Sequence, residues 1–98
     1  MIKPLTDADF DSETADKEVA ILFSASWCQP CKTLTPYMNS IQDELSLSVF
    51  KVDIDEATET AARFKIRGVP TMIRLHNGLP VESATGGEKI RTLLDSMR

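Results

Sequence analysis

The sequence predicts an α/β fold: a central mixed β-sheet, with a parallel core and a C-terminal antiparallel hairpin, flanked by helices on both faces. Three observations predict it. Val19 to Ala25 is a near-continuous apolar run of strand length, the pattern of a strand covered on both sides. Strand-like and helix-like periods then alternate along the chain, as layered α/β folds require. Asn77-Gly78 lies between two strand-like runs and is a hairpin turn signal. The element order read from these is β-α-β-α-β-α-β-β-α.

Each element after the first strand has a local reason. Thr6 or Asp7 can cap a short helix reaching about Ala15, with Phe10 as its main apolar contact. After the Val19 to Ala25 strand, Leu34, Met38, Ile41 and Leu45 recur at helical spacing. Pro36 lies inside this helix, removes one intrahelical bond and predicts a kink. Leu47 to Ile54 reads as a strand through Val49, Phe50, Val52 and Ile54. Asp55 can cap a helix over Glu56 to Phe64. Thr71 to His76 forms the first strand of the hairpin. Its partner, about Leu79 to Ala84, carries Pro80 near its start, which places it at a sheet edge. Gly86-Gly87 breaks the chain, and Ile90, Leu93, Leu94 and Met97 mark one face of a last helix. Arg74 shares the parity of Met72 and His76 in a covered strand, so its guanidinium requires partners.

Composition narrows the function. A chain of 98 residues suits a single domain, 1–98, with one core. Its 42% hydrophobic and 27% charged residues suit a soluble globular protein. The net charge of -4 and the scattered Lys and Arg residues argue against nucleic-acid binding. The longest strong apolar run, Val19 to Phe23, is far short of a membrane span, so no membrane partner is expected. Met1 to Asp7 lacks the apolar region of a signal peptide, which points to a cytoplasmic setting. In a reducing compartment a lone cysteine pair is catalytic or metal-binding more often than structural. A Cys28–Cys31 bridge would also close too short a loop to stabilise the fold much.

The two cysteines fall where a strand gives way to a helix. Cys28 takes the N-cap and Cys31 the first turn, where unpaired N–H groups and the helix dipole favour a thiolate. Pro30 fits a first turn, where its missing N–H costs nothing. Such a pair can attack a disulfide through Cys28, at the open end of the helix, and resolve the mixed disulfide through Cys31. The competing metal reading needs four ligands, and the chain offers two Cys and His76. His76 reads more simply as a strand-end side chain beside the Asn77-Gly78 turn. Asp7, Asp9, Asp11 and Glu13 read as a solvated, acidic helix start.

Further segments carry a resemblance. Phe23-Ser24-Ala25-Ser26-Trp27-Cys28-Gln29-Pro30-Cys31-Lys32, Pro36, Val52-Asp53-Ile54-Asp55, Ile66-Arg67-Gly68-Val69-Pro70-Thr71, Asn77-Gly78 and Gly86 occur in the order and spacing of thioredoxins. The chain resembles that family over nearly its whole length. The resemblance implies the thioredoxin fold and a monomeric, cytoplasmic protein disulfide reductase. It implies no bound cofactor, disulfide-containing protein substrates, and thioredoxin reductase as electron donor. Carried over by position, Cys28 and Cys31 are the catalytic pair, supported by Trp27, Gln29, Pro30 and Lys51. Val69 and Pro70 resemble the family's cis-proline loop, and Gly86 a glycine that leaves room for substrate. The alternatives are a thiol oxidase or isomerase, a glutaredoxin-like reductase, or a non-catalytic binding subunit of a larger assembly.

Three positions depart from the family pattern. Gln29 replaces the usual glycine, and Ser24 stands where many members have a second tryptophan. Leu22 stands where most members carry a buried aspartate, the residue usually assigned as proton acceptor for the second cysteine. Lys51 then lacks its usual carboxylate partner, and its charge favours a Cys31 thiolate. Lys51→Met is expected to slow disulfide reduction and to shift the Cys31 titration to higher pH. An unchanged rate and titration would contradict this role.

Overall fold

A computed structural model describes residues 2–15 and 17–98, so Met1 and Asp16 lie outside the described residues. The elements are β1 (Lys3–Leu5), α1 (Phe10–Thr14), β2 (Glu18–Ser24), α2 (Gln29–Ile41), β3 (Ser48–Asp53), α3 (Thr58–Arg63), β4 (Thr71–His76), β5 (Leu79–Thr85) and α4 (Gly87–Ser96). A single 3-10 turn, Gln42–Glu44, follows α2. This is the expected order. The five strands lie as β1-β3-β2-β4-β5. β1, β3 and β2 run parallel, β4 runs antiparallel to β2, and β5 antiparallel to β4.

The apolar run at Val19 has its explanation in β2, the central strand. Alternate residues serve two cores. Ala20 and Leu22 face α2 and α4, packing with Leu34, Met38, Met72, Ile90 and Leu94. Val19, Ile21 and Phe23 face the other way, toward Phe10, Phe50, Val52, Ile73 and Leu75. From Val19 to Phe23 neither side of the strand meets water, so neither side is polar. The expected stripe, Ile90, Leu93 and Leu94 of α4 with Met97 just after it, is buried.

At the hairpin, Asn77 and Gly78 adopt φ of 52° and 83°. These are the left-handed values that a tight two-residue turn requires and that Asn and Gly tolerate. β5 is the outer strand, which leaves the missing N–H of Pro80 harmless. Arg74 is half-buried and finds carboxylates on both neighbouring strands. Its Nε donates to Glu18 Oε1 at 2.9 Å, its Nη2 reaches the same oxygen, and its Nη1 lies 3.4 Å from Glu82 Oε1. The guanidinium holds the Glu18 carboxyl below the usual range, first through this hydrogen bond.

The helix starts differ from the sequence expectation. The first helix is shorter than Thr6 to Ala15, because a turn precedes it. In that turn the Thr6 N–H donates to Asp9 Oδ1 (2.7 Å) and the Asp9 N–H to Thr6 Oγ1 (3.3 Å). This reciprocal pair closes the turn that leads into the helix, whose N-cap is Asp9. Asp55 does not cap α3, which begins three residues later at Thr58. Its cap comes from the other end of the chain. Asp7 accepts the Glu59 N–H at 3.2 Å, and the Thr60 N–H and hydroxyl at 2.8 and 2.6 Å. The other acidic residues of the first segment are paired too. Asp11 meets Arg63 and Glu13 meets Lys3, each at 2.6 Å. The Arg63 guanidinium also lies over the rings of Phe10 and Phe64.

The hydrogen bonds to Asp7, led by that from the Thr60 side chain, lower its pKa from the ordinary carboxylate value. A native pKa below the unfolded one gives stability that is complete above the unfolded value and lost as pH falls through the folded value. Asp7→Ala should therefore lower the Tm by a few degrees at neutral pH, and the gap to the parent should close in acid, below about pH 4. Melting curves across that range check this. A gap independent of pH would contradict it.

Candidate active site

The two cysteines are positioned by the end of β2. The chain leaves Ser24, and the Cys28 N–H returns to the Ala25 carbonyl at 3.1 Å. Cys28 then takes the N-cap of α2 in an extended conformation, with Gln29 and Pro30 following in the first turn. The Cys31 N–H points back at Cys28 Sγ, 3.2 Å away. This is one of the orphan donors of a helix start, and here a sulfur satisfies it. Cys28 and Cys31 are joined as a disulfide, their Cα atoms 5.3 Å apart. Exposure does not separate the two, at 4% and 3%. Their difference lies in the helix: Cys28 receives the N–H bond and Cys31 supplies it.

The pair packs with Ala25, and Ile54 and Val69 close around it. The Val69–Pro70 peptide bond is cis, which agrees with the expectation for this loop. The Pro70 carbonyl accepts the Gly86 N–H at 3.0 Å, so Gly86 joins the loop to the end of β5. A Cβ added at Gly86 would meet nothing within 4 Å, yet its φ of 96° disfavours any side chain. Trp27 stands beside Cys28 and is 62% exposed. Its Nε1 donates to Asp55 Oδ2 at 2.9 Å.

On the Cys31 side lies an open groove of about 490 Å³. Its lining includes Ser24 from β2, Lys51 and Asp53 from β3, and Cys31, Lys32 and Thr35 from α2. Lys51 pairs in register with Leu22, and Asp53 with Ser24. The position of the family's aspartate is thus filled by a leucine that is fully buried (0% exposed) in the core. Lys51 makes no ion pair among the described residues.

Sequence reasoning missed two residues here. Asp55 orients Trp27 instead of capping a helix. Asp53 lines the groove, and its Oδ1 accepts the Asp55 N–H at 2.8 Å. The available signal was topological: the parallel β2–β3 pairing brings the carboxyl end of β3 beside that of β2, where α/β sheets place their sites. His76 lies at the other end of the sheet, opposite the first residue of β2, with Nδ1 3.5 Å from Glu18 Oε2. Among the described residues no group of three or more His, Cys, Asp or Glu side chains could hold a metal ion. No described helix is long and apolar enough to cross a membrane.

Comparison with known proteins gives a consistent result. The Thioredoxin family model matches residues 1–98. A thioredoxin of Listeria monocytogenes is 38% identical over 88 residues, 88% of this chain and 85% of its own. A thioredoxin of Bacillus subtilis is 36% identical over 83 residues, 83% of this chain and 80% of its own. The crystal structure of the reduced Schistosoma mansoni thioredoxin pre-protein matches with a TM-score of 0.85 and 30% identity. That match covers 99% of this chain and 98% of the other. With a redox-capable pair at a helix start beside a cis-proline loop, and relatives of this likeness, the chain belongs to the thioredoxin family and is a protein disulfide oxidoreductase.

Proposed function

We propose that this single domain reduces disulfides in other proteins with Cys28 as the attacking thiolate and Cys31 as the resolving thiol. The observation that carries the assignment is the Cys31 N–H directed at Cys28 Sγ over 3.2 Å. A donor at that position favours negative charge on Cys28, and the dipole of α2 adds to it. The Cys28 thiolate attacks a substrate sulfur, forming a mixed disulfide and releasing one substrate thiolate. Cys31 then attacks Cys28 and releases the second.

The surface beside the pair suits an extended peptide. Val69 touches the cysteine cluster, and its N–H and C=O have no hydrogen-bond partner among the described residues. These free groups favour a short β-augmentation by the substrate strand. Trp27, Gln29 and Pro30 flank Cys28 and are exposed, and Gly86, bonded to Pro70, carries no side chain to obstruct a substrate. Disulfide-containing proteins are the substrates on this reading, and a thioredoxin reductase returns the electrons. The domain works as a monomer in the cytoplasm, where a reducing pool keeps the pair supplied.

The test is reduction of insulin disulfides with NADPH and a thioredoxin reductase. Cys28→Ser should abolish turnover. Cys31→Ser should also stop turnover but accumulate a covalent adduct with substrate through Cys28. Adduct formation by Cys28→Ser, and none by Cys31→Ser, would reverse the assignment. Full function in a variant lacking both thiols would instead make the protein a binding module.

A further inference from the structure

A resolving thiol must lose its proton before it attacks, and Leu22 offers no acceptor. We infer that Asp53 takes this role: its carboxylate accepts the Cys31 proton through water in the groove between α2 and β3. The inference rests on the assignment of Cys31 as the resolving cysteine.

Three observations carry it. Asp53 and Cys31 line the same groove, whose volume of about 490 Å³ is ample for several waters. The charged groups along that groove are Lys32 on the helix of Cys31, and Lys51 and Asp53 on β3. Asp55, two residues beyond Asp53, is not in that lining and accepts the Trp27 indole N–H instead. Ser24 at the end of β2 and the following Ala25 and Ser26 complete that side of the lining, and the cis-proline loop sets Val69 against the cysteines, none of them titratable. Asp53 is therefore the one carboxylate in the groove lining, and among the described residues its side chain accepts one hydrogen bond, from the Asp55 N–H to Oδ1. That leaves Oδ2 for water.

The step balances. In the mixed disulfide, the Cys31 thiol gives its proton through water to Asp53. The Cys31 thiolate forms a bond to Cys28 Sγ, and the bond from Cys28 to the substrate sulfur breaks. The substrate sulfur leaves with the electron pair, the cysteines end oxidised, and Asp53 returns the proton to the leaving thiolate or to solvent. Lys51, in the same groove, stabilises the Cys31 thiolate while it exists.

Asp53→Asn is the informative variant, because its amide oxygen retains the hydrogen bond from Asp55 and removes only the base. Reduced protein is mixed in stopped flow with dithiobis(nitrobenzoate), whose two thiolates report attack by Cys28 and then resolution by Cys31. In Asp53→Asn the first phase should keep its rate. The second should fall about tenfold at neutral pH, less than a directly bonded general base contributes because water intervenes. It should also rise steeply with pH as hydroxide replaces the carboxylate. Asp53→Glu should recover most of the second phase. A second phase of unchanged rate and pH profile in Asp53→Asn overturns the inference, as does equal slowing of both phases. A parent protein that gives no first phase would defeat the reductase reading itself, a different outcome from either.

Discussion

The Cys31 N–H bonded to Cys28 Sγ is the interaction on which the chemistry depends. It exists because α2 begins where β2 ends, so that the open turn of a helix falls on the first cysteine. A Cys-x-x-Cys segment in a free peptide has no such donor held in place. The fold supplies it by fixing both ends of the turn: β2 is buried on both faces, and α2 is anchored by Leu34, Met38 and Ile41. The cis Val69–Pro70 loop, just ahead of β4, packs Val69 against the same cysteine cluster and is tied to β5 through Gly86. Core packing and reactivity are therefore one arrangement, with the active site at the edge of two cores.

Leu22 marks where those two demands part. A carboxylate at this depth would sit among Leu34, Met38 and Met72, and an unpaired buried charge is costly. A buried leucine at the same place instead contributes about 1.5–3 kcal/mol of apolar burial. In the proposed mechanism the proton acceptor then lies outward, on the neighbouring strand. Lys51 lies beside Leu22 and Asp53 beside Ser24, so β3 carries a cation and a carboxylate on the face that lines the groove. A stable core beneath the cysteines and an acceptor near solvent are compatible in this geometry.

The fold was largely legible because its signals are local. The apolar run of β2, the helical spacing of Leu34, Met38 and Ile41, the Asn77-Gly78 turn and the stripe on α4 each follow from short-range periodicity. The cysteine pair and the proline loop were legible for the same reason, as compact motifs. What escaped were bonds between side chains far apart in sequence. Asp7 reaches across 53 positions to cap α3 at Thr60, and Trp27 reaches across 28 to Asp55. In both cases an acidic residue had a plausible local role, and tertiary geometry gave it a distant one. Arg74 is the converse. Its need for partners was plain from the sequence, but only strand register could name Glu18 and Glu82.

The central claim is that the helix start makes Cys28, and not Cys31, the reactive sulfur, although both are almost equally buried. Selective alkylation tests it most directly. The reduced protein is treated with limiting iodoacetamide near neutral pH, quenched at intervals, and the modified cysteine is located by peptide mass spectrometry. The account predicts that Cys28 is modified first, with Cys31 still protected when Cys28 is nearly consumed. Equal modification of the two, or Cys31 first, would contradict it.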